Sequence, residues 1–342
     1  VQRETGVGQV VKLGSNEGPY PPFPAACEAI AAAAATQRLY PDPGAWALRD
    51  ALSAATGVGA DGILVGNGVD SLIKLLCLAT LDPGDALVMG WPSFLSWRQG
   101  AGIQGATWRP VELRADGGYD LDALAGAVGD DTKLAVVVSP NNPTGQAVTP
   151  AALEAFLDRL PDHVLPVLDE AYFEYLPPGA HDGAALVAAG RRLVVMRTFS
   201  KAYGLAGLRV GYMMAPPDVV EALGRVRNAF DVNAVAQAAA LAGLADAPHE
   251  LPHRIAEVIS ERARVDVALR GLGYAPLPSA ANFVFVRMAS PDAAGALNDY
   301  LTRQGIIIRP TGPFGAPDGI RITVGAPHEN DALLAALRAY SG

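Results

Sequence analysis

The sequence predicts an α/β protein built on a mostly parallel sheet, followed by a smaller α+β unit. Short apolar, β-branched runs alternate with helix-length segments through the middle of the chain, and Gly, Pro or Asp bounds each run. After about residue 245 this alternation stops. Alternation of strands and helices is typical of a sheet with helices on both faces, so we expect three layers in the larger part.

The elements of the larger part follow from these patterns. The predicted strands are Ile63–Val65, Ala86–Met89, Leu134–Val138, Val164–Leu168, Leu193–Met196 and Val210–Met214. The predicted helices are Ala45–Thr56, Asp70–Thr80, Pro150–Arg159, Pro217–Arg227 and Asn233–Leu244. Thr149 followed by Pro150 is a typical helix start, because threonine caps the free amides and proline lacks one of them.

The two ends of the chain show a different pattern. An Ala-rich helix precedes Thr36, and a long helix is predicted over Pro248–Leu272. The remaining predicted elements are strands Phe283–Val286, Ile306–Ile308 and Ile320–Val324 and helices Pro291–Gln304 and Glu329–Tyr340. We therefore predict a large domain over residues 37–245, and an N-terminal arm with a small domain over residues 1–36 plus 246–342.

The composition excludes several classes of protein. Half of the 342 residues are hydrophobic and 18% are charged, which rules out a disordered chain. The net charge of −9 argues against a nucleic-acid-binding protein. There is no apolar run long enough for a bilayer and no signal peptide, so we expect a soluble cytoplasmic protein. The two cysteines, Cys27 and Cys77, lie among helix-type apolar residues and are predicted to be buried thiols.

Two familiar motifs occur in the wrong context. Residues 249–253 match HExxH, but Pro252 lies between the two histidines and should mark a helix start, so we predict no metal site. Residues 57–62 match GxGxxG, but a helix precedes them and a strand follows. A dinucleotide-binding loop needs the opposite order, so this segment is predicted to be a helix C-cap and turn.

A lysine segment after the strand Leu193–Met196 carries the strongest chemical signal. Lys201 lies between the hydroxyls of Thr198 and Ser200 and a glycine-rich turn that leads to Arg209. A desolvated amine beside cationic groups is a nucleophile suited to Schiff-base chemistry. Hydroxyls and a guanidinium are suited to a phosphate, so we predict a Schiff-base lysine beside a phosphate site.

Three further polar segments follow predicted strands. They are Ser139–Gly145, Asp169–Tyr172 and Gly66–Ser71, the last of which leads into a helix start suited to an anion. Parallel strands of an α/β sheet bind ligands at their carboxyl ends, so we expect the four segments to form one site.

Together the segments resemble the fold-type I pyridoxal-phosphate (PLP) aminotransferases, in particular the histidinol-phosphate aminotransferase group. The matching motifs are SNEGPY (15–20), YPD (40–42), GNG-D (66–70), SPNNPTG (139–145), DEAY (169–172), RTFSKAYGLAGLRVGY (197–212), ANFVFVR (281–287) and RITVG (321–325). The resemblance covers almost the whole chain. It implies an aspartate aminotransferase-like three-layer large domain that binds PLP.

The resemblance also implies roles for individual residues. Lys201 would bind PLP covalently and move a proton, Asp169 would pair with the ring nitrogen, and Asn142 and Tyr172 would bind the phenolate oxygen. The implied phosphate ligands are Gly68, Val69, Asp70, Thr198, Ser200, Arg209 and, from the partner subunit of a homodimer, the residue equivalent to Tyr40. Phe94 would stack on the ring, or else be a core phenylalanine.

For the substrate, the resemblance places its anionic end on Arg321, with Arg309 nearby and Tyr20 in a covering arm. Arg309 could instead form a structural salt bridge. The expected reaction is transamination of histidinol phosphate with 2-oxoglutarate in histidine biosynthesis. The alternatives are an aromatic amino-acid aminotransferase and a PLP-dependent decarboxylase of a phosphorylated amino acid. A ligand-sensing domain of a transcription regulator ranks last, because such proteins carry a basic DNA-binding region and this chain is acidic. Gly18 and the stretch 227–233 depart from the group's usual pattern, and both lie near the substrate.

Overall fold

The chain folds into alternating strands and helices; the structure, a computed structural model, describes residue 8 and residues 10–340. The strands are β1 (Val11–Lys12), β2 (Ile63–Gly66), β3 (Ala86–Trp91), β4 (Thr107–Glu112), β5 (Thr132–Val138), β6 (Leu165–Asp169), β7 (Val194–Thr198), β8 (Gly211–Met214), β9 (Pro276–Leu277), β10 (Phe283–Arg287), β11 (Ile306–Ile307), β12 (Arg309–Pro310) and β13 (Gly319–Thr323). The helices are α1 (Pro24–Ala34), α2 (Trp46–Thr56), α3 (Val69–Thr80), α4 (Leu95–Ile103), α5 (Leu121–Gly126), α6 (Pro150–Arg159), α7 (Gly183–Ala188), α8 (Pro217–Val226), α9 (Ala234–Gly271), α10 (Pro291–Arg303) and α11 (Pro327–Ala339).

The largest sheet confirms the predicted α/β class. Within the described residues it has seven strands in the order β2-β8-β7-β6-β5-β3-β4. Strand β8 is antiparallel to β2 and β7, and every other neighbouring pair is parallel. Strands β2, β3, β5, β6 and β7 therefore point the same way, and their carboxyl ends meet at one edge of the sheet. Sequence patterns missed β4, because its Pro110 and partly exposed charged residues are typical of an edge strand.

Two predicted helix boundaries agree with the structure in detail. Helix α6 begins at Pro150, and the Thr149 hydroxyl accepts a hydrogen bond from the Ala152 amide at 3.3 Å. Helix α2 ends at Thr56, as predicted, and its C-cap Gly57 has a φ of 76°, the left-handed conformation that glycine adopts without strain. The GxGxxG segment is therefore a helix C-cap and turn, as predicted.

The predicted break before Pro248 is wrong. One helix, α9, runs from Ala234 to Gly271 and includes both Pro248 and Pro252. Each proline removes one backbone donor, but burial of Ala247 and Val258 on either side keeps the segment helical. The His249–His253 segment is thus helical after all. No group of three potential metal ligands occurs among the described residues, however.

Within the described chain, the C-terminal strands form two smaller sheets, and their buried side chains pack against the end of α9. Strands β12, β13, β10 and β9 make an antiparallel sheet, and β1 pairs in parallel with β11. Buried side chains form two clusters, one around the large sheet and one around β10, β13, α10 and α11, and α9 contributes to both. The domain division near residue 245 stays a prediction, and the residues 1–7, 9 and 341–342 that it includes lie outside the described part.

The two cysteines differ in exposure. Cys77 is buried, and burial raises its pKa to about 12. Cys27 is exposed, so the prediction of a buried thiol there is wrong. It lies on α1, which is described throughout and in which Ala26 is the one buried residue. None of the helices in the described part of the chain combines the length and the apolar character that crossing a membrane requires.

A buried ion pair lies directly behind the carboxyl end of β6. Glu170 accepts hydrogen bonds from Arg197 Nε at 2.8 Å and from the Gly183 amide at 2.9 Å, and its Oε1 lies 2.9 Å from Nδ1 of His181. The Arg197 guanidinium also lies over the ring of Phe173. The cluster joins β6, β7 and the start of α7, so it fixes the strand ends that carry the polar segments.

Replacing Glu170 with glutamine should lower the free energy of unfolding by about 3 kcal/mol, because Arg197 would lose its buried carboxylate and keep only its half-exposed partner, Asp182. Chemical denaturation of the two proteins measures this loss. Glu221→Gln is the matched control, since Glu221 forms an exposed pair with Arg225 at 2.7 Å and should cost at most about 0.5 kcal/mol. Equal losses for both variants would contradict the structural role of the buried cluster.

Candidate active site

A cavity of about 510 Å³ lies at the edge of the sheet where the parallel strands end. The four polar segments predicted from the sequence all contribute to it. The predicted site residues that line it are Val69, Asp70, Phe94, Asn142, Asp169, Tyr172, Thr198, Ser200, Lys201, Arg209, Arg309 and Arg321. The topology therefore brings these twelve residues together.

Lys201 lies three residues beyond the end of β7. Its Nζ donates to the carbonyl of Ser15 at 3.2 Å and lies 5.8 Å from the centre of the Tyr172 ring. Burial, reinforced by the positive charges of Arg321 and Arg209, lowers the pKa of Lys201 to about 8. More of the amine is therefore unprotonated near neutral pH than in an ordinary lysine, as a nucleophile requires.

Asp169 is the last residue of β6 and is 1% exposed. Its Oδ2 accepts from the indole of Trp97 at 3.1 Å, and its Oδ1 accepts from the Ala171 amide at 3.2 Å. Burial raises the pKa of Asp169 to about 6, and the two hydrogen bonds act against that rise. The carboxylate is thus ionised at neutral pH although it is buried, which suits it to holding a proton on a basic ring nitrogen.

The opposite end of the cavity is suited to an anion. Helix α3 begins after Gly68, where no side chain caps the first amides. Arg209 Nη1 lies 3.4 Å from the Ser200 hydroxyl, and its Nη2 is 3.7 Å from a carboxylate oxygen of Asp70. Free amides, a hydroxyl and a guanidinium form a phosphate-type site.

Gly68 supports this end without lining the cavity. A Cβ at this position would lie 2.4 Å from Nη2 of Arg209, and the φ of 79° is in the left-handed region. Glycine therefore allows the guanidinium to lie against the backbone at the helix start.

Arg321, from β13, defines the substrate side of the cavity. Its Nη1 donates a short hydrogen bond to Asn142 Oδ1, and its Nη2 donates to the Gly14 carbonyl at 2.9 Å. Its Nε is buried and has no partner among the described residues. Burial lowers the pKa of Arg321 to about 10, so it remains charged at neutral pH. An unpartnered buried donor on a cation is suited to an anionic ligand.

Arg309 lies beside Arg321 and donates to the same Gly14 carbonyl, at 3.0 Å. It forms no ion pair within the described chain, so the alternative of a structural salt bridge is not observed. Phe94 lines the cavity and also packs against the main core, so the stacking and core interpretations of that ring are compatible.

The N-terminal arm, residues 14–20, covers the lysine. Asn16 donates to the Tyr172 hydroxyl at 2.8 Å, and a Cβ on Gly18 would lie 2.5 Å from the Lys201 carbonyl oxygen. Gly18 is one of the two departures from the family pattern noted above. Its lack of a side chain allows the arm to approach the lysine turn closely.

Tyr20 and Tyr40 do not line the cavity. Tyr20 lies further along the arm, where Arg254 packs over its ring at 5.4 Å. Tyr40 is 80% exposed and stacks on Phe230, with ring centres 4.4 Å apart. Any contact of Tyr40 with a cofactor would therefore have to involve another copy of the chain.

The residues that sequence reasoning missed include Asn16, Glu17 and Phe314, which line the cavity, and Trp97, which donates to Asp169. Asn16 and Glu17 belong to the quoted SNEGPY motif, so that motif could have identified them. Trp97 follows Phe94 by one helical turn, a spacing that could have indicated a shared face. Phe314 ends a short 3-10 helix, Gly312–Phe314, and no local pattern indicates its place in the site.

Fold and site together define an α/β enzyme with a lysine nucleophile, a buried carboxylate and a phosphate-type anion site. The chain belongs to the class I and II aminotransferases: the model of that family matches residues 8–339. The predicted aminotransferase family and fold are thereby confirmed.

Named relatives fall into two groups. The chain is 49% identical to the aromatic amino acid aminotransferase of Rhodococcus jostii over 95% of this chain and 88% of the relative. It is 44% identical to histidinol-phosphate aminotransferase 1 of Cupriavidus pinatubonensis over 98% and 90% of the two chains. The crystal structure of histidinol-phosphate aminotransferase from Sinorhizobium meliloti with pyridoxal 5'-phosphate superposes with a TM-score of 0.93 at 32% identity, covering 99% and 94%.

Proposed function

We propose that the protein is a PLP-dependent aminotransferase that transfers the amino group of an aromatic amino acid to 2-oxoglutarate. The main support is the position of Arg321 in the cavity. Its Nε is unpartnered within the described chain, and its guanidinium carbon lies 5.3 Å from the centre of the Phe314 ring. A cation beside an aromatic wall is suited to a substrate with a carboxylate and an aromatic side chain. Relatives named aromatic amino acid aminotransferases support the proposal.

The described residues fit the cofactor. Lys201 would hold PLP covalently, and the start of α3 with Thr198, Ser200 and Arg209 would hold its phosphate. Asp169 would keep a proton on the ring nitrogen, and Asn142 and Tyr172 would donate to the ring oxygen. When bound, PLP supplies an electron sink for the charge left on the α-carbon of the substrate.

The chain's own groups then account for the remaining chemistry. The carboxylate of the amino acid would bind Arg321, which orients the α-carbon toward Lys201. The unprotonated Nζ of Lys201 is the base that takes the α-proton, and its pKa of about 8 suits this role near neutral pH. The arm over Lys201 and the rings of Phe94 and Phe314 exclude water from that proton transfer.

Histidinol phosphate is the second candidate donor, because Arg309 adds a second guanidinium beside Arg321. Two arginine forks are suited to a phosphate. The dianion would bind both, whereas a carboxylate needs only Arg321. Relatives named histidinol-phosphate aminotransferases support this alternative.

Steady-state assays with 2-oxoglutarate decide between the two donors. We expect kcat/KM for phenylalanine and tyrosine to exceed that for histidinol phosphate. Phe314→Ala should lower kcat/KM for phenylalanine roughly 3–10-fold, the value of a lost aromatic contact, and leave glutamate nearly unchanged. The exposed Val267 is 70% accessible, and Val267→Ala is the control. A higher kcat/KM for histidinol phosphate would replace the first candidate with the second.

We also propose that the protein acts as a homodimer with sites shared between subunits. Five of the eight exposed large hydrophobic residues of the described chain lie on two segments, residues 39–46 and 226–230: Leu39, Tyr40, Trp46, Val226 and Phe230. The Asn67 amide, beside the phosphate end of the cavity, donates to Asp231 at 3.1 Å, so this apolar face is continuous with the site. A second copy of the chain is the partner that would place a Tyr40 at that end.

Complementation tests the shared site. We expect a Lys201→Ala chain and a Tyr40→Ala chain, each nearly inactive alone, to recover activity when refolded together. Only a heterodimer in which Tyr40 acts across the interface contains one complete site. A mixture that stays inactive, or an unmutated protein that sediments as an active monomer, would refute the shared site.

A further inference from the structure

Asn16 is a polar side chain that neither the sequence motifs nor the proposed chemistry assigns a role. It is 1% exposed, and its φ of 55° lies in the left-handed region, which asparagine tolerates better than most residues. Burial of an amide in this conformation, directly beside the site, calls for an explanation.

The hydrogen bonds of Asn16 fix the orientation of its side-chain amide. The Thr323 hydroxyl accepts from the Asn16 backbone amide at 2.9 Å and donates to Asn16 Oδ1 at 3.1 Å. With the amide flipped, the Thr323 hydrogen would have no acceptor among the described contacts. Asn16 Nδ2 therefore faces the Tyr172 hydroxyl, 2.8 Å away.

The orientation of this amide determines which way the Tyr172 proton points. A phenol has one hydrogen, and Nδ2 of Asn16 cannot accept it. The Tyr172 oxygen thus accepts from Asn16, which leaves its own hydrogen free to point into the cavity that the ring lines. Burial raises the pKa of Tyr172, while the Arg321 charge and the bond from Asn16 lower it.

We propose that Asn16 is a positioning residue that directs the Tyr172 hydroxyl hydrogen toward the cofactor's ring oxygen. This inference rests on the proposed function, because it takes Tyr172 as a ligand of the cofactor. The arm would then have two roles. It covers the cavity, and through Asn16 it also sets the direction in which the Tyr172 hydroxyl donates its hydrogen. Asn282, which donates to the Asn16 carbonyl at 3.1 Å, holds that part of the arm in place.

Asn16→Asp is the decisive variant. Aspartate keeps the size, tolerates the left-handed conformation and still accepts from Thr323, but it offers Tyr172 an acceptor in place of a donor. The Tyr172 hydrogen would then turn away from the cavity toward the carboxylate. Asn16→Gly is the second variant, since it keeps the backbone conformation and removes the amide.

Two measurements test the proposal. The first is ultraviolet titration of the cofactor-free proteins, with Tyr172→Phe used to identify the signal of Tyr172 among the ten tyrosines. We expect Asn16→Asp to raise the pKa of Tyr172, and Asn16→Gly to raise it less. The second is equilibrium binding of PLP with its absorption followed against pH. Here we expect roughly tenfold weaker binding and a shifted spectral transition for Asn16→Asp.

The same substitutions in the Tyr172→Phe background separate positioning from a structural effect. If Asn16 acts through Tyr172, adding Asn16→Asp there leaves the spectral transition where Tyr172→Phe alone puts it. An equal shift with and without the hydroxyl, or a Tyr172 pKa that Asn16→Asp does not move, overturns the inference. Because the titration uses cofactor-free protein, it still tests the Asn16–Tyr172 pair if PLP binding itself fails, and such a failure counts against the proposed function.

Discussion

Replacing Lys201 with alanine is expected to lower turnover by several orders of magnitude. The amine would be both the covalent attachment of the cofactor and the base that moves the α-proton, so its loss removes two steps at once. No other lysine can substitute, because the remaining three are Lys12, Lys74 and Lys133 and none lines the cavity. Single-turnover assays with phenylalanine measure the loss.

Peptide mapping after borohydride reduction accompanies that assay. The reduced, labelled peptide should contain Lys201, and the Lys201→Ala protein should give no label. Lys74→Ala is the matched control, since Lys74 is exposed on α3, and it should retain full activity. A label on any peptide without Lys201 would show that the covalent assignment is wrong.

The pH dependence of cofactor capture follows from the same lysine. The amine attacks only when it is unprotonated, so the rate at which cofactor-free protein captures PLP should rise with pH and level off above about 8. Arg321 lowers the pKa of Lys201 through its charge. The midpoint should therefore move to higher pH in Arg321→Gln, and stopped-flow absorbance would record both curves.

Asp169→Asn should have the second-largest effect, a loss of kcat of roughly 10²–10³-fold or more, as expected when a preorganised charge is removed from a site. Asparagine fits the same space and can still accept from Trp97, but it cannot hold a proton on the ring nitrogen as a carboxylate does. The cofactor would then lose its strength as an electron sink. Transient kinetics of the half-reaction with phenylalanine measure the loss.

A pH series on the unmutated protein checks the same group. Asp169 has a pKa of about 6 in the cofactor-free protein, so its ionised fraction falls as the pH falls through that value. Affinity for PLP should therefore weaken below about pH 6, and Asp169→Asn should abolish that dependence. Asp162→Asn, at an exposed position, is the control. A pH dependence that persists in Asp169→Asn would assign it to another group.

The sequence predicted those parts of the fold whose causes are local. Buried parallel strands such as Leu134–Val138 consist of continuous β-branched runs, and Thr149-Pro150 marks a helix start, so both could be predicted without tertiary information. Both halves of α9 were predicted as helix, but its continuity was not, because packing on both sides overrides the local effect of Pro248. Strand β4 is an edge strand, and its mixed composition hides it.

The site divides in the same way. Lys201, Asp169 and Asn142 lie in the short segments that follow predicted strands, so the rule for parallel sheets was sufficient to bring them together. Phe314 joins the site through contacts between segments far apart in the chain, which no local pattern encodes, whereas the spacing of Trp97 from Phe94 is a local signal that was not used. Asn16 was within a recognised motif, but its role depends on Thr323 and Tyr172, and therefore on the folded structure.

The position of the arm has a consequence for when the site forms during protein synthesis. Gly14 and Asn16 are synthesised well before their partners Arg321 and Thr323, which lie 307 residues later in the chain. Contacts of such high sequence separation form late, because they must close a very long loop of the chain. A nascent chain that has completed the large sheet would present Lys201 and Asp169 in an uncovered cavity. The arm can therefore exclude water from the cavity only after β13, which carries Arg321 and Thr323, has been made.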